Sequence, residues 1–113
     1  MVGYCRAVVV NKRIEIAGTT SSLNGQVQFP GDAGLQTKFV LERMMAVLAA
    51  EGFSEKDVVR TRMYVTNIDD WESIGAVHQA FFGTHPPVAT MVEVSRLIHS
   101  DLLIEIELTA ERT

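Results

Sequence analysis

The chain has 113 residues, 47% of them hydrophobic and 21% charged, with a formal net charge of −4. That length fits one domain over residues 1–113, able to bury roughly two-thirds of its unfolded surface. An acidic chain with no basic run argues against nucleic-acid binding, and its single cysteine, Cys5, excludes an internal disulfide and fits a reducing cytoplasm. No stretch reaches the ~18 apolar residues of a membrane span. The opening "MVGYCRAVVVNKR" lacks the apolar segment of a signal peptide and reads straight into a strand.

The first elements are a hairpin. "YCRAVVV" is β-branched, "NKR" makes the turn, and "IEIAG" alternates with period two, so strands are expected over 5–10 and 13–18. Residues 19–34 are rich in Gly, Ser, Thr, Asn and Pro and read as a loop, with a short strand near Val27. The period then becomes helical. Val40, Met44, Val47 and Leu48 form a stripe widened by Leu41 and Met45, which predicts a helix over 33–51 stopped by Gly52.

"DVVRTRMYVTN" predicts a strand with Val59, Thr61, Met63 and Val65 on one face. Asp69 and Glu72 have capping-box spacing, and a second helix is expected over 70–82, ended by Gly83. "HPP" marks a loop, and "VATMVEVSRL" and "LLIEIELTA" are the last strands. The order β-β-α-β-α-β-β implies an α+β two-layer sandwich: a mixed six-stranded sheet with two helices on one face.

Two helices leave the other sheet face uncovered. Alternation assigns to it Arg13, Glu15, Ala17, Arg60, Arg62, Tyr64, Ala89, Met91, Glu93, Glu105 and Glu107. One reading is a solvated face, common in antiparallel sheets. The other is a self-associating face, which the small and apolar Ala17, Ala89 and Met91 favour.

Two segments carry a resemblance. "EGFSEKDVVRTRMYVTNIDDWESIGAVHQAFFG", with its Phe81-Phe82 pair, and "MVEVSRL…LIEIEL" are similar, in order and spacing, to motifs of the Rid family, also called YjgF or the reactive-intermediate deaminase family. The resemblance implies a chorismate-mutase-like fold and a homotrimer with ligand clefts at its subunit interfaces. It also implies hydrolysis of imines and enamines to a carbonyl compound and ammonia, with no metal or cofactor. Such chemistry needs an arginine fork for the substrate carboxylate and a glutamate to move protons.

Carried over by position, the family's cleft tyrosine falls on Tyr4, its glycine on Gly18 and its acid/base glutamate on Glu105. Its serine falls on Ala17, its asparagine on Gly75, its arginine on Ala89, and a further serine and a cysteine on Thr90 and Met91. The arginine's loss puts the usual keto- or imino-acid substrate in doubt. Arg6, Arg60 and Arg62 are candidate substitutes, though a salt bridge at the rim is the plainer reading of Arg6. Cys5 reads as a small buried strand residue, Trp71 as a packing anchor, and Arg96 as a salt-bridge residue at a strand end. His78 reads as a surface or satisfied helix residue, and His85 and His99 as loop residues without metal-ligand spacing.

The sequence therefore supports a trimeric, cytoplasmic protein that binds a small metabolite, with imine or enamine hydrolysis through Glu105 as its chemistry. A non-catalytic binding or regulatory module is the alternative. A translation-inhibitor or endoribonuclease activity is a third, opposed by the acidic balance.

Overall fold

The computed structural model describes residues 3–113. Strands β1 (Ala7–Val10), β2 (Arg13–Thr20), β5 (Val58–Val65), β6 (Val88–Glu93) and β7 (Ile104–Glu111) form one sheet in the order β1-β2-β7-β5-β6. Only β5 and β6 pair in parallel, because α2 (Trp71–Phe82) crosses between them. The sheet has five strands rather than six. The polar segment after β2 folds as its own ribbon, β3 (Ser22–Leu23) with β4 (Gln26–Val27), around Asn24 and Gly25 at φ 52° and 78°. Arg43 ties that ribbon to helix α1 (Ala33–Ala50), donating hydrogen bonds to the carbonyls of Thr20 at 3.0 Å and Ser22 at 2.7 Å.

Helix α1 begins where the Asp32 side chain accepts the Leu35 N–H at 2.9 Å and ends before Gly52 at φ 82°. Its Val40, Leu41, Met44 and Leu48 are buried; Val47 and Met45 sit at the margin. They meet Ile14, Ile16, Met63, Val65, Ile104, Ile106 and Leu108 from the sheet and Ile74 and Phe82 from α2. Each such large side chain contributes roughly 1.5–3 kcal/mol by leaving water. Buried Gln36 clasps two loops: its Nε2 donates to the carbonyls of Phe29 and Asp101, and its Oε1 accepts from the Leu103 N–H at 2.8 Å.

Four local expectations are corrected. The Asp69–Glu72 box does not form; Asp70 is the N-cap of α2 without a side-chain bond, and the Ser54 N–H donates to Asp57 instead, before β5. A bulge between Val58 and Arg60 buries Val58 and leaves Val59 exposed. Trp71 is 56% exposed and is not part of the core cluster among the described residues. Cys5 precedes β1 and is exposed, not buried.

Among the described residues, no helix is long and apolar enough to cross a membrane.

Candidate functional site

The uncovered face has a charged centre. Glu105 and Glu107 alternate on β7 with buried Ile104, Ile106 and Leu108, so both carboxylates rise from the same side. Glu107 is held by its neighbours: the Tyr64 hydroxyl donates to its Oε1 at 2.8 Å, and the Arg62 guanidinium lies 3.9 Å away. That hydrogen bond raises the Tyr64 pKa. Further along, Thr109 donates to Glu15 at 2.6 Å, and Arg13 lies 3.6 Å from the same carboxylate.

Glu105 is different. It is partly buried and has no hydrogen-bond or ion-pair partner among the described residues. Burial, and secondarily the charge of Glu107, raise its pKa above the ordinary carboxyl value. Its side chain lies over Gly18. A Cβ there would stand 2.9 Å from the Glu105 carboxyl carbon, so glycine is what leaves room for the carboxyl. Gly18 and Ala17 occupy a break in the β2–β7 register, between Ile16 opposite Leu108 and Thr19 opposite Ile106. The bulge turns this backbone outward into a small hollow of about 110 Å³, shared with Tyr4 and Arg6. Arg6 is exposed and makes no salt bridge among the described residues, so the expected rim pair is not formed.

The remaining carried-over positions lie elsewhere. In the parallel register Thr61 pairs with Ala89, Met63 with Met91 and Val65 with Glu93. Partners across a ladder share a face. Ala89, Met91 and Glu93 therefore lie on the helix-covered side, contrary to the alternation expected for them. Met91 packs against the core, and Glu93 accepts the Ile68 N–H at 3.0 Å before α2. Thr90 pairs with Arg62 and lies on the open face. Ala89 and Gly75 line a second, wider hollow of about 440 Å³, between the end of α2 and the edge strand β6. Within one chain these two hollows stand apart, with β7 and β5 between their strands.

His78, which the sequence reads as a surface or satisfied helix residue and not as a site residue, also lines the second hollow. Its Nε2 lies 2.9 Å from the hydroxyl of fully buried Thr61, and its ring stacks at a tilt on Phe82, 4.7 Å between centroids. Burial lowers its pKa. Spacing gave a hint: His78 stands three residues after Gly75, on the same helix face. Among the described residues, no three His, Cys, Asp or Glu side chains come together as a metal site would require.

Comparison with known proteins accords with this architecture. A family model described as endoribonuclease L-PSP matches residues 1–112. The crystal structure of a YjgF/YER057c/UK114 family member from Mycobacterium tuberculosis superposes with a TM-score of 0.88 at 43% identity, over 98% of this chain and 88% of that one. A RutC family protein of Pyrococcus horikoshii is 36% identical over 109 residues, 95% of this chain and 85% of its own length. The 2-iminobutanoate/2-iminopropanoate deaminase of Escherichia coli K12 is 34% identical over 88 residues, 75% of this chain and 68% of that enzyme. This chain belongs to the Rid/YjgF family.

Proposed function

We propose that this protein hydrolyses a small imine or enamine to a carbonyl compound and ammonia, in clefts that neighbouring subunits of a homotrimer complete. The observation that carries the proposal is Glu105: a partly buried carboxyl, seated over Gly18, whose proton is held more tightly than usual. A carboxyl tuned upward suits an acid/base working near neutral pH. Protonated Glu105 gives its proton to the imine nitrogen. The carboxylate then takes a proton from water as the new C–O bond forms. Glu105 returns that proton to nitrogen; as the carbinolamine collapses the C–N bond breaks, ammonia leaves, and the hydroxyl proton passes to the Glu105 carboxylate, which gives the carbonyl product and restores the protonated acid. The relationship to the E. coli 2-iminobutanoate/2-iminopropanoate deaminase supports this reaction class.

The need for a neighbour follows from the two hollows standing apart within one chain, with β7 and β5 between their strands. Docking a second copy against the open face would bring its α2–β6 hollow toward Glu105. Val8 and Val10 on β1 and Val88 and Val92 on β6 lie on that face, all more than 40% exposed, and supply apolar surface for such a contact. Sedimentation should show a trimer at micromolar concentration; a monomer there overturns the assembly.

A second reading, a non-catalytic binding module, draws its support from Ala89, Gly75 and Ala17, which offer no polar side chain where the family resemblance places an arginine, an asparagine and a serine. Ammonia release from freshly generated imines separates the two. Hydrolysis should fall ~10²–10⁴-fold in Glu105→Gln, the range for losing a positioned acid/base. A wild-type rate equal to the uncatalysed one decides for the binding module. An endoribonuclease reading is disfavoured by the net charge of −4 and by Arg62, which is drawn to Glu107.

A further inference from the structure

The wider hollow contains a polar group that the reaction above does not use. Thr61 is fully buried, and His78 Nε2 at 2.9 Å is the hydrogen-bond partner of its hydroxyl. A buried hydroxyl left undonated is costly, so Thr61 donates and Nε2 accepts. That fixes the neutral ring's proton on Nδ1. Nδ1 has no hydrogen-bond partner among the described residues, while the ring lines the hollow with Gly75, Gln79, Pro87 and Ala89. Phe82 beneath the ring holds its plane. Burial disfavours the charged imidazolium, so the ring presents a neutral donor. None of the side chains lining this hollow is a lysine or an arginine.

We infer that His78 is the specificity-determining residue of this hollow, and that its Nδ1–H selects a ligand bearing a neutral acceptor, such as a carboxamide or ketone oxygen, over a carboxylate. A carboxylate entering here would leave water without an opposite charge from this hollow to meet it, which is expensive. A neutral carbonyl loses less on desolvation and gains the His78 donor; Gln79, the other polar side chain of the lining, is likewise uncharged. Gly75 and Ala89, having small or no side chains, leave the space such a group needs. The inference deepens the proposed imine-cleft reading and rests on it for the identity of the ligand's reacting end.

The test uses the full-length protein, with its histidines ¹⁵N-labelled, and a matched pair of probes, pyruvamide and pyruvate. Long-range ¹H–¹⁵N spectra should show His78 as the Nδ1–H tautomer before any ligand is added. Pyruvamide should shift the Nδ1 resonance and bind about tenfold more tightly than pyruvate, the scale of one hydrogen bond gained against one charge left unpaired. His78→Ala should abolish that preference, and His78→Gln, which keeps a donor, should restore part of it. Ala89→Arg should reverse the preference toward pyruvate. An Nε2–H tautomer, an Nδ1 resonance unmoved by pyruvamide, or equal or tighter binding of pyruvate overturns the inference, and the spectra of the unsubstituted protein decide even if a variant does not fold. Failure here is distinct from failure of the hydrolase reading. Glu105-dependent ammonia release with an unresponsive His78 removes only the inference; a responsive His78 with no ammonia release removes only the hydrolase.

Discussion

The two hollows differ in what each has kept. The one around Tyr4 and Gly18 adjoins a tuned carboxyl, seated over Gly18 on a rigid central strand flanked on both sides by paired strands. The one around Gly75 and Ala89 lies at the sheet's edge, between a helix end and a strand paired on one side only, and has small residues where a charged clamp is expected from the family resemblance. Glu105 is positioned by β7, whose Ile104, Ile106 and Leu108 are anchors of the core. Moving it means moving the core. Residues on β6 carry no such burden: Val88, Ala89 and Thr90 are all exposed. The proposed function thus ties chemistry to the part of the fold that cannot drift, and ligand choice to the part that can.

That contrast breaks first at Glu105. Glu105→Gln should remove catalysis by ~10²-fold or more while leaving the fold intact, since the amide conserves shape and the carboxyl has no ion pair to lose. Glu107→Gln should do the reverse. It weakens the Tyr64 hydrogen bond and the Arg62 pair, costing about 0.5–1.5 kcal/mol in a denaturant titration with little change in turnover. If Glu107→Gln proves the more damaging to turnover, the two glutamates have been assigned the wrong roles.

Gly18→Ala sharpens the same point. The added Cβ meets the far end of a flexible side chain, so the protein can relieve the clash by swinging the carboxyl away. Stability should fall by less than about 1 kcal/mol, whereas turnover should fall about tenfold, as a misplaced catalytic group does. Equal turnover in Gly18→Ala and wild type would show that the carboxyl's seat is irrelevant to the reaction.

The titrating groups of the two hollows push stability in opposite directions. Glu105, facing Glu107 and backed by Tyr64 and Arg62, has a raised folded pKa. Its favourable contribution is complete below the ordinary value of 4.5 and is lost as pH rises through the folded value. His78, facing Thr61 and Phe82, has a lowered one. Its contribution is complete above 6.5 and is lost as pH falls through the folded value. Urea titrations across this range should show the stability difference between wild type and Glu105→Gln falling with rising pH, and that between wild type and His78→Gln falling with decreasing pH. The same sign for both contradicts the environments described.

How much of this the sequence disclosed follows the same division. The β7 alternation and the α1 stripe were readable because each is long and buries one face, so the pattern reports the structure directly. Glu105 and its neighbour Gly18 were placed by family resemblance. The face of β6 was not readable. An edge strand bearing Ala89, Thr90 and Met91 has no clear polar–apolar alternation, and its orientation is set by the parallel pairing with β5, which no local pattern encodes. The bulges at Ala17–Gly18 and at Val59 shift alternation by one residue and are equally silent locally. His78 was legible as a surface or satisfied helix residue but not as part of a hollow, because its partner Thr61 is seventeen positions away and buried.

The smallest effect tests the claim that the edge hollow is free to vary. Gly75 sits within helix α2, and nothing lies within 4 Å of where its Cβ would be. Glycine inside a helix costs roughly 0.5–1 kcal/mol relative to alanine, through the backbone freedom it gives up on folding. Gly75→Ala should therefore stabilise the subunit by about that amount, because no contact opposes the gain. The same change at Gly18 is expected to be destabilising, so one substitution carries opposite signs in the two hollows. If Gly75→Ala instead destabilises the assembled protein, the space beside α2 is filled by a neighbouring subunit. The edge hollow would then be constrained by packing, and its freedom to drift would have to be given up.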